Sequence, residues 1–234
     1  MSRGVVRWCV GHGVALAMVV SAVAGGQTPA GEAEATSFEQ LQPIDRYVMP
    51  DRAAEIALAR SAAPDSVAAR AEVLVLARDG YHTAAKGTNG FVCLVERSWM
   101  SQSKDPYYFN PVIRGPMCLN PVAARTHLPL VTKATAWALA GVSKAQMFDS
   151  ITVAYKTKAL PMPETGAMCY MLSKQQYFGS KVGNAGPHLM FWFPRDLAMQ
   201  WGGGDPASPV AVQQDSPDPI TTYFVAVAKW SDGT

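Results

Sequence analysis

The chain changes its hydrophobic period several times. From Val73 to Glu96, short apolar runs rich in β-branched residues are broken by Asp79-Gly80 and Asn89-Gly90, dipeptides that favour tight hairpins. The pattern predicts strands at Val73 to Ala77, Tyr81 to Ala85 and Phe91 to Glu96, folded as an antiparallel meander. Period two puts Phe91, Cys93 and Val95 on one face of the third strand and Val92, Leu94 and Glu96 on the other. Upstream, Pro50 and Asp51 precede an alanine-rich stretch with Ile56 and Leu58 that Pro64 closes, which predicts a short helix. Downstream, residues 131–160 are helical in two pieces parted at Gly141. Ser143 and Gln146 fit a capping box, and Met147, Phe148, Ile151, Ala154 and Tyr155 recur at helical spacing, a stripe suited to covering a sheet.

Three further strands are predicted at "AMCYMLS", "PHLMFWFP" and "TTYFVAVAKW". The middle one is apolar on both faces, as an interior strand is. "RDLAMQW" reads as a single helical turn. The proline-rich stretch from Ser98 to Pro129 reads as a long irregular connection, a kind of segment that often carries function. The expected fold class is α+β: an antiparallel sheet of about five or six strands with helices packed on one face.

Composition adds a compartment. Arg3 and Arg7 precede an apolar run that ends in small residues at Ala22 to Ala24, the layout of a secretory signal over residues 1–24. The run falls short of the roughly 20 residues that span a bilayer, so no stable membrane anchor is expected after cleavage. Residues 25–45 read as a disordered tether, and 46–234 as one domain. Cleavage removes two of the 20 basic residues and none of the 18 acidic ones, which leaves 18 of each. A neutral chain lacks the electrostatic footprint of a nucleic-acid partner. The expected location is periplasmic or extracellular.

Cys93, Cys118 and Cys169 remain after cleavage. Cys93 and Cys118 bracket the proline-rich connection, and closing that loop contributes ~3.5 kcal/mol in the chain-entropy estimate. Cys169 is then a buried, inert thiol. The alternative makes Cys93 a nucleophile, with His188 as its base and Glu96 or Asn89 to orient the imidazole, in a secreted hydrolase acting on amide bonds. "PHLMFWFP" resembles the histidine strand of such enzymes, but "GFVCLVE" reads as mid-strand, without the helix N-terminus that activates a thiol. His82, His127 and His188 are not at metal-ligand spacing. No glycine loop suits a phosphate, so no metal or cofactor is implied. Trp99, Tyr107, Tyr108 and Phe109 are candidates for an exposed aromatic surface that meets a small molecule or a cell-envelope partner.

Taken together, "EIALARSAAP", "GTNGFVCLVER", "GPMCLNP", "AMCYMLS" and "GPHLMFWFP" resemble a family of uncharacterised exported bacterial proteins. These share the order TNGF-x-CLV, a proline-flanked second cysteine, a YMLS segment and an HLMF strand. The resemblance implies that Cys93 and Cys118 belong to the family pattern, whereas Cys169 stands where a small or apolar residue is usual. It implies no activity. The expectation is an exported binding or envelope-associated domain, non-enzymatic and tied by a disulfide.

Overall fold

The runs around Val73 and Cys93 become neighbouring strands, but the two lie parallel. The computed structural model describes residues 37–101, 104–179, 182–195, 201–202, 205–214 and 219–234, all within the compact unit Gly31–Thr234. The expected leader, the first part of the tether and the middle of "RDLAMQW" lie outside the described residues.

Strands β1 (Glu72–Ala77) and β2 (Gly80–Ala85) close the hairpin expected at Asp79-Gly80, with Ala77 opposite Gly80. Strand β3 (Val92–Glu96) then returns to the other edge of β1 and pairs in parallel, Val73 beside Cys93. The meander is therefore replaced by a crossover beneath the start of β1. Its backbone is tied there: Thr88 N–H donates to the Arg70 carbonyl at 2.8 Å and Glu72 N–H to the Phe91 carbonyl at 2.9 Å. Asn89 Nδ2 donates to the Val67 carbonyl at 2.8 Å, so its amide holds the crossover. Gly87 permits the close pass, since a Cβ there would lie 2.2 Å from the Glu72 nitrogen.

Strands β4 (Gly115–Leu119), β5 (Met168–Met171), β6 (His188–Pro194), β7 (Val210–Gln213) and β8 (Ile220–Ala226) complete one open sheet in the order β2-β1-β3-β4-β5-β6-β8-β7. The sheet is mixed and eight-stranded among the described residues, which corrects the antiparallel five or six. Pro116 hid β4, because a proline argues against a central strand. The Cys93 and Cys118 Cα atoms are 4.0 Å apart across the ladder, the narrow spacing of a pair that exchanges no backbone bonds. Cys118 N–H thus points away from β3. Pro116, two residues earlier, points its nitrogen the same way, toward a side where β5 no longer pairs. Its missing donor costs nothing there.

Helix α1 (Arg52–Arg60) begins as expected, with the Asp51 carboxylate accepting from the Ala53 and Ala54 N–H groups. With α2 (Asp65–Ala68) it covers Val73, Val75, Cys93, Val95 and Cys118 on one face of the sheet. Helices α3 (Pro121–Thr126), α4 (Leu128–Leu139) and α5 (Lys144–Lys156) lie over Leu74, Leu94, Met117, Leu119 and Cys169 on the other. Helices thus pack on both faces, not one. The Ser143–Gln146 capping box forms at α5. No helix among the described residues is long and apolar enough to cross a membrane.

The proline-rich connection has its own core. Trp99, Tyr108 and Phe109 pack with Tyr47, Leu76, Ala134 and Met147. Trp99 Nε1 donates to Thr135 Oγ1 at 3.0 Å, and the Tyr108 hydroxyl to the Trp99 carbonyl at 3.0 Å. The chain is already docked at Phe38, whose N–H donates to the Tyr108 carbonyl, so the end of the expected tether is packed against this loop.

Candidate functional site

The face opposite the disulfide is only partly covered by helices. Strand alternation and register line up Glu96 with Gly115, Met171 with His188, Met190 with Phe224, and Trp192 with Thr222 on that face. These residues floor a cavity of about 620 Å³ whose other walls include Leu130 of α4, Phe148 and Ile151 of α5, and Trp99, Tyr107 and Phe178 from loops. Its volume is in the range of small-molecule sites. Gly115 helps to open it: a Cβ there would lie 3.2 Å from Phe178 Cε1 and 3.4 Å from Met171 Cε. Tyr107 is seated by Gly179, where a Cβ would lie 2.4 Å from its ring.

Glu96 is the unusual wall residue. It is half-buried and lines the cavity, yet protein surrounds it closely enough that burial pushes its carboxyl pKa up to about 8. No hydrogen bond or ion pair among the described residues compensates it. The adjacent Arg97 is committed elsewhere. Its Nη2 is 2.8 Å from Glu55 Oε1 and its Nε donates to the Tyr47 carbonyl at 3.1 Å, while Nη1 donates to the Val95 carbonyl. Glu55 in turn accepts the Leu76 N–H at 3.1 Å. Two consecutive ionisable residues therefore meet opposite fates: Arg97 in a closed buried pair, Glu96 facing a cavity with no partner among the described residues.

Two histidines share the wall. His127, at the junction of α3 and α4, stacks on Trp192 with ring centroids 3.7 Å apart and planes at 15°. Burial pulls its pKa down to about 3, so the ring is neutral, and its Nδ1 is buried with no hydrogen-bond partner among the described residues. His188 is also shifted down by burial, partly offset by a bond to Gly186. Its Nδ1 lies 2.9 Å from the Gly186 carbonyl. That carbonyl can only accept, so Nδ1 carries the proton and Nε2 is left as an acceptor.

The expected site residues separate. Cys93 is bonded to Cys118 on the face covered by α1, while His188 and Glu96 are on the cavity face. The Cys93, His188, Glu96 arrangement is not assembled, and Asn89 is occupied by the crossover. Trp99, Tyr107, Tyr108 and Phe109 retain 1% or less of their surface, so the expected exposed aromatic surface is replaced by buried rings. Trp99 and Tyr107 line the cavity; Tyr108 and Phe109 belong to the loop core. His82 is exposed and pairs with Asp79 at 2.7 Å. Among the described residues no three His, Cys, Asp or Glu side chains form a group that could hold a metal ion. Cys169 is buried, and burial followed by the nearby Glu96 raises its thiol pKa.

His127 and Trp192 are the site residues sequence reasoning passed over. The available signal was Pro129, two residues after His127, which marks a helix start and so makes His127 a fixed junction instead of a loop residue. No protein-family model, curated protein or solved structure matches this chain, so the geometry of the cavity is what bears on its function.

Proposed function

We propose that this chain is an exported binding protein that takes one apolar small molecule into the cavity, with Glu96 as its polar contact. The observation that carries this reading is the Glu96 carboxyl, lining an otherwise largely apolar cavity with no protein partner among the described residues. A buried polar group without a partner is costly, and a ligand that bonds to it recovers that cost on binding. Export is supported by the leader-like residues 1–24 and by a buried disulfide, a bond that persists in oxidising compartments. The amide-hydrolase alternative needs a free Cys93 thiol, and that sulfur is bonded to Cys118.

The test is titration with the neutral dye Nile red, followed by dye emission and by tryptophan fluorescence, since Trp99 and Trp192 line the cavity. Saturable binding is expected in the wild type. Thr222→Phe, which puts a ring opposite Trp192 in the cavity floor, is expected to abolish it while leaving the thermal midpoint unchanged or raised. Equal binding to both proteins, or none to the wild type, would sink the reading.

A further inference from the structure

We infer that the cavity takes an apolar amine, its ammonium seated on Glu96 and its hydrocarbon body crossing the sheet floor from β3 toward β6 among the aromatic walls. This deepens the binding reading above and rests on it.

Charge on the lining decides the ligand class. Among the described lining residues the acidic side chains are Glu96 and Asp105, and the basic side chain, Arg97, is spent on Glu55 and two backbone carbonyls. Once Glu96 has released its proton an anionic ligand would meet a like charge, and in either state of Glu96 the described lining leaves no cation to receive it. Both lining histidines are held toward their neutral forms by burial. His188 offers Nε2 as an acceptor and so supplies no cation for an anionic head group. The rings of Trp99, Trp192, Phe148 and Phe178 line the same space, and an aromatic face favours a cation over an anion.

Shape decides the rest. Glu96 ends β3 and His188 begins β6, so both stand at the same end of the sheet but three strand spacings apart. His127 and its Trp192 partner stand four residues further along β6, a distance of about 13 Å at ordinary strand rise. From the Glu96 carboxyl the cavity floor runs across β4 and β5 to the rings of β6 and β8, about 14 Å at ordinary strand spacing, which suits a head group with a medium-length hydrocarbon tail.

The other titratable groups are Tyr81 of β2 and Cys169 of β5, which interact with Glu96, the adjacent Arg97, and Asp105, His127 and His188 elsewhere on the cavity lining. Tyr81 and Cys169 are held protonated by burial, the histidines are neutral, and Arg97 is paired. Glu96 is thus the wall group that changes charge between neutral and moderately alkaline pH.

Calorimetric titration with decylamine, decanol and decanoate separates the possibilities, because the three probes share a tail and differ in the head. In the wild type near pH 8.5, decylamine is expected to bind at least roughly tenfold tighter than decanol, a modest value for a buried charge pair. Below about pH 7 its binding should release close to one proton, read from heats in two buffers, because the ammonium displaces the proton on Glu96. Glu96→Gln should abolish both the preference and the proton release while decanol still binds, which shows that the variant keeps its cavity. An amine that binds no tighter than the alcohol, a preference that survives Glu96→Gln, or tighter decanoate would overturn the amine inference and leave the cavity reading standing. If none of the three binds the wild type, the cavity reading itself fails.

Discussion

Replacing Glu96 by glutamine keeps the shape of the side chain and removes its ability to ionise, so stability against pH reports how hard the cavity resists the charge. In the folded protein the carboxyl releases its proton only near pH 8, against an ordinary value of 4.5, and burial is the cause. Well below pH 4.5 both folded and unfolded chains hold the proton, and the group contributes no pH dependence. As pH rises the unfolded chain releases first while the folded chain retains its proton up to about 8, so wild-type stability falls across that interval and levels off above it. At about 1.4 kcal/mol per pH unit the interval corresponds to ~5 kcal/mol. Water entering the cavity screens part of this, which leaves ~2–4 kcal/mol at about pH 9. Guanidinium unfolding of both proteins is the assay. The variant should be more stable by that amount at about pH 9 and nearly equal to the wild type at about pH 4. A difference that does not change with pH, or a less stable variant at high pH, would refute the placement of Glu96 as an uncompensated acid.

Glu55→Ala leaves the Arg97 cation buried without its partner, both side chains being essentially inaccessible at 0% and 1% exposure. It should cost ~3–5 kcal/mol in denaturant titrations, and a loss below about 1 kcal/mol would contradict the pair. Gly87→Ala should cost roughly 2–3 kcal/mol by pushing the crossover off β1, seen as a lower denaturant midpoint at constant slope. Reduction of the disulfide, whose cysteines are 25 residues apart, should lower stability by ~3.5 kcal/mol. In alkylation mapping under native conditions the Cys169 peptide should remain unlabelled and become labelled on unfolding, because its thiol is buried and its pKa raised.

Local signals predict the structure where its cause is local. Asp51 starts α1 and Ser143 with Gln146 starts α5 because each cap is closed by backbone groups within three residues. The Asp79-Gly80 hairpin follows from its own backbone geometry. Asn89-Gly90 misled because the same dipeptide can close a hairpin or turn a crossover, and which of the two forms depends on whether β1 presents a free edge. Strand β4 was hidden by Pro116, whose tolerance depends on where β5 stops. Strand β7 has four residues and is defined by its partner β8. The loop aromatics were expected at the surface because their neighbours are Pro, Asn, Ser and Asp. They are buried because α4 and α5 arrive from later in the chain to cover them.

The sequence by itself determined which residues share a strand face, since period two follows from the pleat alone. It put Glu96 on the face opposite Cys93, and it made a Cys93–Cys118 bridge the expected pairing by bracketing a loop that gains from closure, with a free Cys93 as the alternative that the structure removed. Tertiary structure alone decided that β1 and β3 run parallel, that helices occupy both faces, and that Arg97 turns to Glu55 and leaves Glu96 without a compensating partner among the described residues. It also brought His127, Trp192 and Glu96 from three distant segments to one cavity. Such placements depend on long-range packing and on the order in which strands find edges, neither of which leaves a periodic trace in the chain. The charge state of Glu96 follows the same rule: a carboxylate's pKa is set by what surrounds it in space.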